Sequence, residues 1–199
     1  MIVYFAPLEG VTDAVFRRIH RECFSGVAEY FIPFVSPTQN LAFTSRDLSI
    51  LAPGNGFGVP QLLCKDASLF LWAAQTLGNM GFESVNLNLG CPSGTVTAKG
   101  KGSGMLRDLA KLDAFLAAVF ANAEGPISVK TRLGVDKPEE FAAILDIYNQ
   151  YPICELTIHP RVMRQQYRGQ ADRAAFAAAL PACRMPVCYN GDVTTVDDL

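Results

Sequence analysis

The chain has 199 residues, 50% of them apolar and 18% charged, and its 17 Lys and Arg against 19 Asp and Glu leave a net charge of −2. That is enough apolar chain to bury one sizeable core, which excludes a disordered protein, and the charge is too evenly balanced for a basic nucleic-acid arm. One globular domain over residues 1–199 is expected.

The longest stretch free of charge, Leu48 to Cys64, is broken by Pro53, Gly54, Gly56, Gly58 and Pro60 and cannot form a membrane-spanning helix. The run from Met1 to Pro7 lacks a basic segment and meets Glu9 too early for a signal peptide, so a cytoplasmic location is expected. Six cysteines (Cys23, Cys64, Cys91, Cys154, Cys183 and Cys188) stand singly, with no C-x-x-C pair and only two His in the chain, which argues against a metal site. All but Cys91 sit among apolar or helical residues and read as small core side chains.

In chain order, β-rich runs alternate with helical patterns. Strands are expected at Ile2 to Ala6, Glu29 to Phe34, Gly58 to Leu63, Ser84 to Leu89, Ile127 to Arg132, Glu155 to His159 and Pro186 to Asn190. After Asp66, a good N-cap, the residues Leu69, Trp72, Ala73, Thr76, Leu77 and Met80 share a helix face, and Gly81 provides the stop. Leu112, Phe115, Leu116, Val119 and Phe120 repeat in the same way. Pro138, Glu139 and Glu140 then open a helix carrying Phe141, Ile144, Leu145 and Tyr148. Alternation of this kind gives right-handed βαβ units on a parallel sheet. With no G-x-G-x-x-G after the first strand, and with polar residues at many strand ends, the expected fold is an α/β (β/α)₈ TIM barrel. Such barrels run to about 250 residues, so the sequence reads as a barrel truncated after about its seventh strand, its open edge free for another chain or for self-association.

In a barrel the C-terminal strand ends share one mouth. Walking round it gives Ala6-Pro7-Leu8-Glu9-Gly10, Gln61, Asn88-Leu89-Gly90-Cys91-Pro92-Ser93, Lys130 and Arg132, His159-Pro160-Arg161 and Asn190-Gly191-Asp192. On the fourth strand Asn86 and Asn88 alternate with Val85, Leu87 and Leu89, placing two amides in the barrel wall, where they need either neighbouring strands or a ligand as partners. Cys91 stands just past that strand, in a turn fixed by Gly90 and Pro92, as a candidate acid or nucleophile. Lys130 calls for an anion, internal or bound. His159 reads either as a satisfied core histidine or as a site residue. Asn190-Gly191-Asp192 reads either as a tight turn or as a phosphate-binding one.

The segments Ala6-Pro7-Leu8-Glu9-Gly10-Val11-Thr12-Asp13, Asn88 to Ser93, Val129-Lys130-Thr131-Arg132-Leu133-Gly134, His159-x-Arg161 and Tyr189-Asn190-Gly191-Asp192, in that order, resemble the tRNA-dihydrouridine synthase family. The resemblance implies a flavin-binding barrel, followed in the family by a helical tRNA-binding domain that is expected to be absent from residues 1–199. The implied activity is reduction of a uridine base in tRNA to 5,6-dihydrouridine, with FMN as cofactor and NADPH as reductant. It implies further that Ala6, Pro7, Leu8, Gln61, Lys130, His159, Asn190, Gly191 and Asp192 contact FMN, that Asn88 and Arg161 meet the substrate, and that Cys91 is the proton donor opposite the flavin. Lys99, Lys101, Arg132, Arg161, Arg164 and Arg168 stand near the mouth as candidate partners of RNA phosphates. Pro160 and Val162 depart from the family's usual His-Gly-Arg-Thr. Two further readings are a flavin barrel acting on a small pyrimidine or enoate, and a cofactor-free scaffold binding a partner through its open edge.

Overall fold

The computed structural model describes residues 1–52, 57–195 and 198, so Pro53, Gly54 and Gly56, read above as breakers of an apolar run, lie outside the described residues. The seven expected strands are all present, mostly shorter by a residue or two at their ends: β1 Val3–Phe5, β2 Val27–Val35, β3 Val59–Leu62, β4 Val85–Leu89, β5 Ile127–Arg132, β6 Leu156–His159 and β7 Val187–Tyr189. Only β2 runs longer, because residues at both its ends still pair with β1 and β3. The strands form one parallel sheet in sequential order from β1 to β7, the order of a (β/α) barrel opened beside its first strand. The helices are α1 Ala14–Cys23, α2 Ser45–Leu51, α3 Ala67–Asn79, α4 Gly94–Thr97, α5 Leu109–Phe120, α6 Phe141–Tyr148 and α7 Arg173–Ala179.

Local chemistry explains the helix boundaries. Asp66 caps α3, its carboxylate accepting from the Leu69 N–H at 3.1 Å, and Gly81, at φ +95°, makes the left-handed stop. Asp108 caps α5 likewise through Lys111 N–H. The α6 stripe is buried as its spacing requires: Phe141, Ile144, Leu145 and Tyr148 are all in the core. On α3, Phe70 is buried while Trp72 is only half-buried, because the helix contacts both the sheet and α5.

Strand alternation sets where the core lies. Val85, Leu87 and Leu89 of β4, Ile127 and Val129 of β5, and Leu156 and Ile158 of β6 pack outward against the helices in one apolar cluster. The opposite face lines the barrel interior and is polar. Asn88, Lys130, Thr157 and Cys188 stand in register across β4 to β7, with Arg132 beside His159 above them. The sheet curls enough for Tyr4 of β1 to reach across this interior, its phenol donating to Glu155 Oε2 at 3.0 Å, beside the start of β6. The cysteines depart from expectation. Of the five read as core side chains only Cys64 is buried; Cys23 and Cys154 are exposed and Cys183 and Cys188 half-buried, because they fall at helix ends, before strands or on the half-open last strand. Among the described residues no helix is long and apolar enough to cross a membrane, and no cluster of three metal-ligating side chains occurs.

Candidate active site

A cavity of about 150 Å³ opens at the C-terminal strand ends. It is lined by Pro7, Leu8 and Glu9 after β1, Pro33 and Phe34 of β2, Gln61 of β3, Asn88, Gly90 and Cys91 of β4 and its turn, Lys130 and Arg132 of β5, His159 of β6 and Tyr167 beyond it. Five barrel strands, β1 and β3 to β6, thus deliver seven of the expected residues to one place.

Asn88 builds the Cys91 turn. Its side-chain oxygen accepts from the backbone N–H of Gly90 at 3.0 Å and of Cys91 at 2.8 Å, while its Nδ2 donates to Gln61 Oε1 at 2.5 Å. Gln61 in turn donates to Asn86, and Asn86 to Ser128 Oγ, so Asn86 is satisfied by neighbouring strands. One Asn88 N–H remains for a ligand, by the ordinary donor count of an amide. The glycine run behind the turn is a buttress: Ser103 donates twice to the Cys91 carbonyl, through its N–H at 3.1 Å and its hydroxyl at 2.8 Å. A side chain at Gly102, where φ is +56°, would lie 2.8 Å from that same carbonyl oxygen.

The electrostatics are distinctive. Among the described residues Lys130 has no carboxylate partner, and burial, with Arg132 alongside, pulls its ammonium down to about 8. His159 is pulled down to about 3 by burial and by the surrounding cations Arg132, Lys130 and Arg161. It is therefore neutral at physiological pH, and since Arg161 Nη1 can only donate across the 3.0 Å contact to His159 Nε2, the ring proton sits on Nδ1. Burial pushes the Cys91 thiol above its ordinary value, so it carries its proton at neutral pH. Arg132 is fully buried and braces the site: its Nε donates to the Gly90 carbonyl at 2.8 Å and its Nη1 to those of Val162 and Gln166 at 3.2 and 2.6 Å. Its guanidinium lies 5.3 Å from the centre of the Tyr167 ring.

Other expected residues fall elsewhere. Ala6 sits one residue short of the cavity wall. Arg161 is turned into a second cleft, where it is 95% buried and donates to Asp192 at 2.6 Å and to the Gly169 carbonyl at 2.7 Å. Asp192 is spent on that ion pair and on the Ala171 N–H, which holds its carboxyl below the usual range. Asn190 and Gly191 line neither space; the Tyr189 ring lies across Gly191 so closely that a Cβ there would sit 2.1 Å from its hydroxyl. Of the basic residues near the mouth, Lys99, Arg164 and Arg168 are exposed, with Arg164 paired to Asp136, Lys101 is half-buried, and Arg132 and Arg161 are buried and so removed from any surface role. Tyr167 and Pro33 carried no sequence signal, because a loop side chain and a strand proline follow no periodicity that marks a cavity; Phe34 ends its expected strand at the mouth but was not singled out.

A parallel barrel with a thiol, an unpaired ammonium and a neutral imidazole at the mouth defines an enzyme-like site of the kind that holds an anionic or electron-rich ligand. The chain belongs to the dihydrouridine synthase (Dus) family, whose model matches residues 4–199. It is 35% identical over 198 residues to a probable tRNA-dihydrouridine synthase 1 of Synechocystis, covering 96% of this chain and 54% of that protein. It is 31% identical to tRNA-dihydrouridine synthase B of Pseudomonas putida, over 96% of this chain and 57% of that one. A probable tRNA-dihydrouridine synthase of Rhodobacter capsulatus is likewise 31% identical, over 96% of this chain and 60% of that one. The chain thus spans little more than half the length of these curated relatives.

Proposed function

We propose that this chain is the barrel portion of an enzyme that reduces a uridine base of tRNA to 5,6-dihydrouridine, using FMN with NADPH as reductant in the cytoplasm. The observation that carries the reading is the one cavity lined by both a protonated thiol, Cys91, and an ammonium with no counter-ion among the described residues, Lys130.

The residues fit a flavin. An unpaired cation in a half-buried wall favours an electron-rich ring edge, Gln61 and the neutral His159 offer polar contacts beside it, and the Pro7–Leu8 backbone supplies a flat flank. FMN, when bound, supplies the hydride chemistry that no protein side chain can. What the chain itself does is bind, orient and protonate. Lys130 holds the electron-rich edge by its charge. Asn88 presents its remaining N–H to the base and, through its carbonyl, fixes the backbone of Cys91. Cys91 hands its S–H proton to C5 of the uracil, leaving a thiolate to be reprotonated from solvent. The base must leave its stack to enter so narrow a space.

The test pairs two variants. Cys91→Ala should keep FMN binding, read by the yellow absorbance and by flavin fluorescence quenching. It should lower dihydrouridine formation, read by mass spectrometry of tRNA, by roughly 10²-fold or more. Lys130→Ala should lose the flavin first. Full turnover in Cys91→Ala, or a colourless wild-type protein that ignores added FMN, would sink the reading.

A further inference from the structure

Most of the charged groups that share the cavity with Cys91 are cationic. Lys130 and Arg132 come from β5, and neutral His159 and Tyr167 from β6 and the loop after it. Cations beside a thiol favour the thiolate, and a thiolate has no proton to give. Burial opposes them and is the largest influence on the thiol. Among the residues lining the cavity there is one carboxylate, Glu9.

Glu9 stands exposed at the rim of the cavity, joined to Arg46 by a surface ion pair. Its loop is closed by Thr12, whose hydroxyl accepts the Leu8 N–H at 2.9 Å, and Arg46 at the start of α2 donates to Glu9 Oε1 at 2.9 Å. Arg46 does not line the cavity, whereas Glu9 shares its lining with Cys91. The direction of its effect is consistent: Glu9 raises the thiol where Arg132 and Lys130 lower it.

We propose that Glu9 is a positioning residue for proton donation, the single carboxylate in the cavity lining shared with Lys130 and Arg132, whose charge adds to burial in keeping Cys91 a thiol until the base arrives. This rests on the reading of Cys91 as the acid, and the experiment separates the two. Alkylation by iodoacetamide, followed across pH by mass spectrometry of the peptide containing Cys91, needs neither tRNA nor FMN. In Glu9→Gln, an isosteric change at an exposed side chain, the midpoint should fall and alkylation at pH 7 should quicken roughly three- to tenfold, as expected for removing one like charge across a partly hydrated cavity. Glu9→Asp should restore most of the wild-type profile, and the alkaline limb of turnover should move to lower pH in Glu9→Gln alone. Superimposable alkylation profiles for Glu9→Gln and wild type, or a midpoint that rises, would overturn the proposal. A fallen midpoint together with full turnover in Cys91→Ala would instead leave the charge coupling standing and remove the acid role.

Discussion

At the scale of single residues, the site is a set of charges whose state is fixed by what surrounds them. His159 shows it best. In the unfolded chain an imidazole titrates near 6.5, whereas folded His159 is held at about 3 by burial and by Arg132, Lys130 and Arg161. Between those values the unfolded chain binds a proton that the folded one refuses, so the stability contributed by neutral His159 is complete above about pH 6.5 and is lost as pH falls towards 3. The loss over that window is roughly a few kcal/mol for so buried a ring. Urea unfolding at a series of pH values should show His159→Gln losing less stability on acidification than the wild type; parallel slopes would refute the assignment. Arg161 teaches the complementary lesson: a strand-end arginine beside a histidine looks free to meet substrate, yet Asp192 and the Gly169 carbonyl have already claimed it.

At the scale of elements, the β4 strand and the turn after it form the unit that delivers the thiol. Asn88 ties the turn to its own strand, and Ser103 ties it to the glycine-rich segment after α4. Only glycine suits position 102, since φ is +56° and any Cβ would press on the Cys91 carbonyl at 2.8 Å. Gly102→Ala should therefore cost about 1–3 kcal/mol of stability. It should also slow dihydrouridine formation, because the displaced atom belongs to the residue that carries the thiol. A denaturation midpoint equal to the wild type would show that the segment yields without strain. Gln166, at φ +53°, is a second left-handed position, held by the Arg132 hydrogen bond to its carbonyl, and it bends the loop that brings Tyr167 over the mouth.

At the scale of the whole molecule, the mouth exists only because the sheet is curled. In the sheet β1 pairs with β2 alone, so the distance between Leu8 and His159 on opposite sides of the cavity depends on how far the sheet bends. The Tyr4–Glu155 hydrogen bond spans the interior near the other end of the strands and ties the first strand to the sixth. Burial and the Glu155 carboxylate push the Tyr4 phenol up to about 12, so it remains a donor through the physiological range. Tyr4→Phe should lower unfolding stability by about 1 kcal/mol, and Glu155→Gln, which keeps an acceptor, by less. Equal losses in the two variants, by urea denaturation, would show that the carboxylate and not the hydrogen bond matters.

How much of this was legible beforehand follows from periodicity. The seven strands and the stripes of α5 and α6 were readable because burial on one face imposes a repeat of two or of about 3.6 residues, and that repeat is written in the order of Val85, Asn86, Leu87, Asn88 and Leu89 or of Phe141, Ile144, Leu145 and Tyr148. A barrel order then gathers the strand ends at one mouth, which is why Gln61, Asn88, Cys91, Lys130 and His159 were expected together and are found together. Which polar group is spent and which is free has no such signature. Asn88 meets Gln61, Arg161 meets Asp192 and Arg132 meets Gly90 across 27, 31 and 42 positions of chain. Loop side chains such as Tyr167 point where local turns send them. Hydrogen-bond partners are chosen by distance in space, and only the folded chain fixes that distance.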